Sequence, residues 1–249
     1  MMRSANPALN AKTFTSYARP YAEGETMTIG GTVNKTGFLL VLCLLPAAWV
    51  WQKFFASQNP EVVYPYLIGG ALGGFVAALV TVFKKDWAPV TAPIYAILEG
   101  LVLGGLSAIL EARFPGIVIQ AVGLTFGTLL ALLMAYKSGV IKATENFKLG
   151  VVAATGGIAL VYLVGFVLGF FGVSIPYIHG SGTIGILFSL FVVVIAALNL
   201  VLDFDFIENG AAMGAPKFME WYAAFGLLVT LIWLYLEILR LLAKLRSRR

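Results

Sequence analysis

Seven long apolar runs punctuate the chain, at residues 36–55, 64–83, 92–110, 116–136, 149–171, 182–204 and 218–243. At a helical rise of about 1.5 Å per residue, each can cross a hydrocarbon core about 30 Å thick, so the pattern predicts seven membrane-spanning helices. Residues 1–35, "MMRSANPALNAKTFTSYARPYAEGETMTIGGTVNK", are polar, carry prolines and glycines, and are predicted to be mostly irregular. The pattern divides the chain into a polar N-terminal tail, 1–35, and one transmembrane domain, 36–249. No stretch between the runs is long enough to bury a core of its own. The first run starts too far in, and is too long, for a cleaved signal peptide.

Composition agrees. Hydrophobic residues make up 60% of the chain and charged residues 12%, against roughly a quarter charged in a soluble domain. The reading is an all-α integral membrane protein in contact with a lipid bilayer. The net charge of +5 is a topology signal, with no nucleic-acid partner implied, because the basic residues flank apolar segments. With the N-terminus in the cytoplasm, that side collects Arg3, Lys12, Arg19, Lys35, Lys84, Lys85, Lys137, Lys142, Lys148 and Lys217, while the opposite loops hold Lys53 and Arg113. The tail "LRLLAKLRSRR" sits outside if the seventh run crosses and inside if that run re-enters; charge counting leaves both open.

Glycines four apart (Gly69 and Gly73, Gly70 and Gly74, Gly100 and Gly104, Gly123 and Gly127, Gly165 and Gly169) put flat patches on the second to fifth runs, predicting close helix packing. Several chemistries are excluded. No lysine lies deep in a run to form a retinal Schiff base. His179, the single histidine, stands near Ser181 in "HGSG" with no acid to orient it, so a loop histidine is the plainer reading. The Gly-x-Gly-Asp of intramembrane aspartyl proteases is missing, and one histidine with one cysteine, Cys43, builds neither a transition-metal site nor a disulfide. The chain reads as a non-enzyme without a cofactor.

What remains is four acids in or at the ends of runs: Glu99, Asp203, Asp205 and Glu237. An ionised carboxylate in hydrocarbon has to be solvated, paired or protonated. In "NLVLDFDFIENG" the two aspartates are about 200° apart on a helix. Asp203, continuing the face of Asn199, is assigned to the interior, and Asp205, sharing a face with Glu208, to the wet rim. Glu237 stands about five turns into the last run with Arg240 one turn on, which offers an ion pair. Glu99 lies at a depth similar to that of Asp203, and the two could face each other.

"LVLDFDFIENG" followed by "LIWLYLEILRLL" resembles the end of proteins in the transmembrane Bax inhibitor motif family, and "IYAILEGLVLGG" extends the likeness. The resemblance implies a bacterial member in the inner membrane, a bundle of two three-helix layers around a central C-terminal helix, and a pH-sensitive calcium leak channel. It also implies that Asp203 and Glu237, the latter standing where the family has aspartate, act as the gate's proton sensor and as transient oxygen ligands for permeating calcium. Glu99, Arg240 and Asn199 are possible partners, and calcium is a permeant ion rather than a cofactor. Direct contact between Asp203 and Glu237 needs a re-entrant or displaced last helix; failing that, Glu99 is the better partner. A second reading that the resemblance also implies is a non-conducting regulator that binds and modulates a membrane-anchored ATP-dependent protease or a stress-response partner through its polar tail.

The charge distribution predicts that, in a protein whose Cys43 is replaced, a cysteine at position 142 is protected from an impermeant thiol reagent outside intact cells. Labelling there from outside would reverse the topology.

Overall fold

A computed structural model describes residues 26–172 and 180–248. The predicted tail therefore lies outside the described residues up to position 25, as does His179. Seven helices follow one another: α1 (Ile29–Ser57), α2 (Tyr64–Phe83), α3 (Ala88–Arg113), α4 (Ile117–Lys137), α5 (Glu145–Phe170), α6 (Thr183–Ala212) and α7 (Met219–Ser247). Single 3-10 turns, Pro60–Val62 and Lys85–Trp87, lead into α2 and α3. All seven helices are long and apolar enough to span a membrane, and among the described residues there is no strand.

Helix ends follow local chemistry, and that moves them beyond the apolar runs. α1 begins at Ile29, inside the segment expected to be irregular, because Thr28 adopts an extended conformation and its side chain accepts the Gly31 N–H. Thr144 caps α5 in the same way through Phe147. α6 continues past its apolar run to Ala212, carrying Asp205 and Glu208 on its last turns. Left-handed conformations at Gly116, Gly139 and Gly214 (φ 80°, 75° and 64°) turn the chain between α3 and α4, α4 and α5, and α6 and α7. α7 runs unbroken for 29 residues, about 43 Å at the helical rise, and 61% of its most apolar stretch is buried, the highest share of the seven. By length and composition that helix is sufficient for a full crossing.

Two compact units share these helices. One holds α4, α5, α6 up to Asp205 and α7 from Thr230; the other holds α1 to α3, the end of α6 and the start of α7. In the first, Ile158, Val192 and Ile195 form a core with Tyr162, Phe188 and Trp233 against it. In the second, Val50, Phe54, Val63 and Ala108 pack with Trp51, Tyr66 and Leu101.

Of the glycines expected to pack, Gly70, Gly73 and Gly74 on α2 and Gly100 and Gly104 on α3 lie against a neighbouring helix, whereas Gly69, Gly123, Gly127 and Gly169 do not. A Cβ on Gly100 would overlap the Cys43 backbone carbonyl and Pro46, and one on Gly104 the backbone of Ala47, so α1 and α3 touch through their main chains. On α2, a Cβ at Gly70 would lie 2.7 Å from the Leu98 carbonyl oxygen. At Gly123, Gly127 and Gly169 it would meet nothing within 4 Å. Those glycines sit where no helix approaches, and spacing alone could not tell the two cases apart. Gly104→Ala is therefore expected to lower stability by about 1–3 kcal/mol through overpacking, whereas Gly123→Ala, gaining helix propensity, is neutral or stabilising by up to about 1 kcal/mol. Thermal unfolding in one detergent measures both, and equal shifts would contradict the packing.

Candidate functional site: a polar seam with one unpartnered carboxylate

Three polar positions on α5 are seven residues apart: Lys148, Thr155 and Tyr162. α7 repeats the spacing with Thr230, Glu237 and Lys244. A seven-residue interval returns to nearly the same face of a helix, drifting by about 20°, so each trio forms a stripe down an otherwise apolar rod. On α6, Gly185, Ser189, Asn199 and Asp203 fall within about 80° of one another by the same count. These stripes meet within one unit.

From one end of the seam to the other, the contacts follow this register. Lys148 Nζ lies 2.6 Å from Asp205 Oδ2 and 3.7 Å from Glu145. Asn199 donates from its amide to the Thr155 hydroxyl at 2.9 Å and to the Ile195 carbonyl at 2.8 Å. The Tyr162 hydroxyl donates to the Glu237 carboxylate, with oxygens at 3.0 and 3.1 Å, and accepts from Arg240 at 2.6 Å. Arg240 also donates to both Glu237 oxygens, at 2.9 and 3.1 Å. One turn on, the buried Lys244 ammonium donates to Ser189 Oγ at 2.8 Å and to the Gly185 carbonyl at 3.0 Å. Each cation or amide that is taken out of water here has acceptors, which is what keeps such groups affordable in hydrocarbon.

Asp203 is the exception. It is 0% exposed, in a stretch of α6 where Leu200, Val201 and Leu202 are buried as well. Its two oxygens are the only buried side-chain polar atoms among the described residues without a hydrogen bond. The Thr230 hydroxyl from α7 interacts with it electrostatically but falls short of hydrogen-bond geometry. A buried polar atom left without a partner costs about 1–3 kcal/mol, and more if charged, so this position carries a stability cost.

The structure thus places Asp203 in the interior, as expected, and pairs Glu237 with Arg240, as the spacing of three suggested. It does not bring Asp203 and Glu237 together. Asp203 lies level with Thr230, seven residues or about 10 Å along α7 from Glu237, and the Glu237 oxygens are occupied by Tyr162 and Arg240. Asn199 is bonded to α5 rather than to Asp203. Glu99 belongs to the other unit, where it is half-buried on α3 and its Oε1 sits 3.0 Å from where a Cβ on Gly74 would be. Glu208 is exposed, but Asp205 is not simply at a wet rim: it is ion-paired to the buried Lys148. Sequence reasoning missed Lys148, Thr155, Tyr162, Thr230, Ser189 and Lys244, although the seven-residue spacing of polar groups on α5 and α7 was there to be read. Among the described residues no three His, Cys, Asp or Glu side chains gather into a metal-binding group.

A family model described as Bax inhibitor 1 like matches residues 6–247 of the chain. No curated protein and no solved structure matches it.

The Lys148–Asp205 pair closes one end of the seam. Asp205→Asn leaves a buried ammonium facing a neutral amide and should cost about 1–3 kcal/mol. Combined with Lys148→Met, the loss should be well below the sum of the single losses. Additive losses in thermal unfolding, with a coupling under about 0.5 kcal/mol, would mean that the pair contributes nothing.

Proposed function

The chain belongs to the Bax inhibitor 1 like family, and from that premise we propose that it is a pH-sensitive, calcium-permeable leak channel of the cell membrane, gated by protonation of Asp203. The observation that carries this reading is the enclosed, unpartnered Asp203 carboxyl group. Its setting supports it: on α7 the polar stripe from Thr230 to Lys244 extends about 21 Å, most of a hydrocarbon core. A charge on Asp203 has only the Thr230 hydroxyl beside it in this arrangement, so its protonation state and the packing of α6 on α7 are coupled. When ionised and reached by water, it is a hard oxygen ligand of the kind calcium takes.

Glu237 has a different part. Held by Tyr162 and Arg240, it is charge-compensated and fixes the far end of the seam. Its sensor role, which the family likeness implied, passes to Asp203 in this reading. In the membrane the N-terminus faces the cytoplasm, which puts Lys148 and Asp205 at the cytoplasmic end of the seam and Glu237, Arg240 and Lys244 towards the other.

Calcium uptake by proteoliposomes containing only this protein, measured between about pH 5 and 8, tests the proposal. The wild type should show pH-dependent flux. Asp203→Asn, isosteric and permanently uncharged, should differ less than about twofold across that range, because the group that changes charge is gone. Glu237→Gln should retain the pH dependence. Wild-type-like pH dependence in Asp203→Asn, at matched incorporation, would sink the sensor role. Absence of flux from the wild type would favour the non-conducting regulator.

A further inference from the structure

α1 starts with half of a capping box. In the complete motif a Ser or Thr at the N-cap accepts the N–H three residues on, and a Glu or Gln at that third position reaches back to the N-cap N–H. Here Thr28 accepts the Gly31 N–H at 3.0 Å, but the third position is glycine and no acid stands in the first turn. The missing carboxylate is nevertheless in place. Glu220, 192 residues away, accepts the Thr28 N–H at 2.9 Å and the Thr28 hydroxyl at 2.8 Å, both on Oε1.

The rest of the local structure is built around that substitution. A Cβ on Gly31 would overlap the Glu220 carboxylate, so glycine leaves room for the acid that a capping box would itself have carried. Glu220 is 0% exposed. Lys35 donates to its Oε2, and Lys217 lies 3.0 Å from its Oε1. Lys35 also stands over the Trp221 ring, and Phe38 packs edge-on against that ring at 5.9 Å. Just before the cap, the Met27 N–H donates to the Ala215 carbonyl and Thr26 pairs with Pro216.

We propose that Glu220 supplies in trans the acid of the Thr28 capping box, and that this shared carboxylate is a conformational latch holding the start of α1 to the start of α7. Glu220 is at once the acid of the α1 cap and the ionic centre of its attachment to α7. Whatever displaces Glu220 frays α1 and loosens its hold on α7 together.

Moving the acid from position 220 to position 31 tests this. Amide hydrogen exchange of the full chain in lipid nanodiscs, read by mass spectrometry, is compared for wild type, Glu220→Ala, Gly31→Glu and the double variant. Glu220→Ala should speed exchange across residues 27–32 about tenfold. Gly31→Glu alone should do the same, because its side chain displaces Glu220 and repels it. In the double variant the new glutamate caps α1 in cis. Exchange at residues 28–31 should return to within about threefold of wild type, while that of Met27, whose bond to Ala215 needs the docked α1, should stay fast. Exchange in Glu220→Ala within about twofold of wild type, or a double variant no slower than Glu220→Ala, overturns the proposal. If Glu220→Ala does not accumulate, Glu220→Gln keeps an acceptor for Thr28 and loses the charge. It should then speed exchange about threefold, and no change would overturn the latch equally.

Discussion

A polar group inside a bilayer has nowhere to find a partner except within the protein. That constraint orders one unit of this chain from end to end. Lys148 requires Asp205, Asn199 requires Thr155, Glu237 requires Tyr162 and Arg240, and Lys244 requires Ser189 and the Gly185 carbonyl. Every one of these contacts joins two helices or braces a residue that does. Sliding α5 or α6 by one residue would separate several of them at once, so the polar seam fixes a register that lipid-like side chains alone would leave loose.

The other unit meets the same solvent differently. Its helices carry few buried charges and instead bring backbones together, at Gly100 against Cys43 and at Gly104 against Ala47. Dispersion over such flat faces replaces the hydrophobic drive that lipid does not supply. Pro46, inside α1, belongs to this contact, since its ring lies where a side chain on Gly100 would go. Where this unit does bury a charge, at Glu220, it surrounds it with Thr28, Lys35 and Lys217.

Seven helices and their approximate bounds were legible because apolar run length is a one-dimensional signal. Boundaries moved where a polar residue does helical work, at Thr28 and at the last turns of α6. The Glu237–Arg240 pair was legible because it is local. Lys148–Asp205 and Thr28–Glu220 were not, since a contact 57 or 192 residues apart leaves no trace in either partner's neighbourhood. The pairing of Asp203 with Glu237 that the family likeness implied is absent. α6 and α7 run antiparallel from a short connection, so the α7 residue level with Asp203 is one about as far from that connection, which is Thr230 and not Glu237. The glycine spacing was legible as a pattern but ambiguous in meaning, because glycine on a lipid-exposed helix face costs little enough to persist without a packing role.

The unfinished pairing of Asp203 is informative because its surroundings show that completing it would be easy. Seven and fourteen residues further along the same stripe of α7, a glutamate and a lysine occupy positions equivalent to Thr230, and both are fully accommodated by α5 or α6. An asparagine or a lysine at 230 is the kind of residue this seam uses to satisfy a buried acceptor. Threonine instead places only a neutral hydroxyl beside the enclosed carboxyl group. A structural aspartate would gain from a donor there, because an unmet acceptor weakens the fold. A group whose task is to change charge gains from the lack of one, because a fixed cation would hold it ionised and remove the response. In the proposed reading, that lack of a fixed cation is what leaves the Asp203 charge free to change.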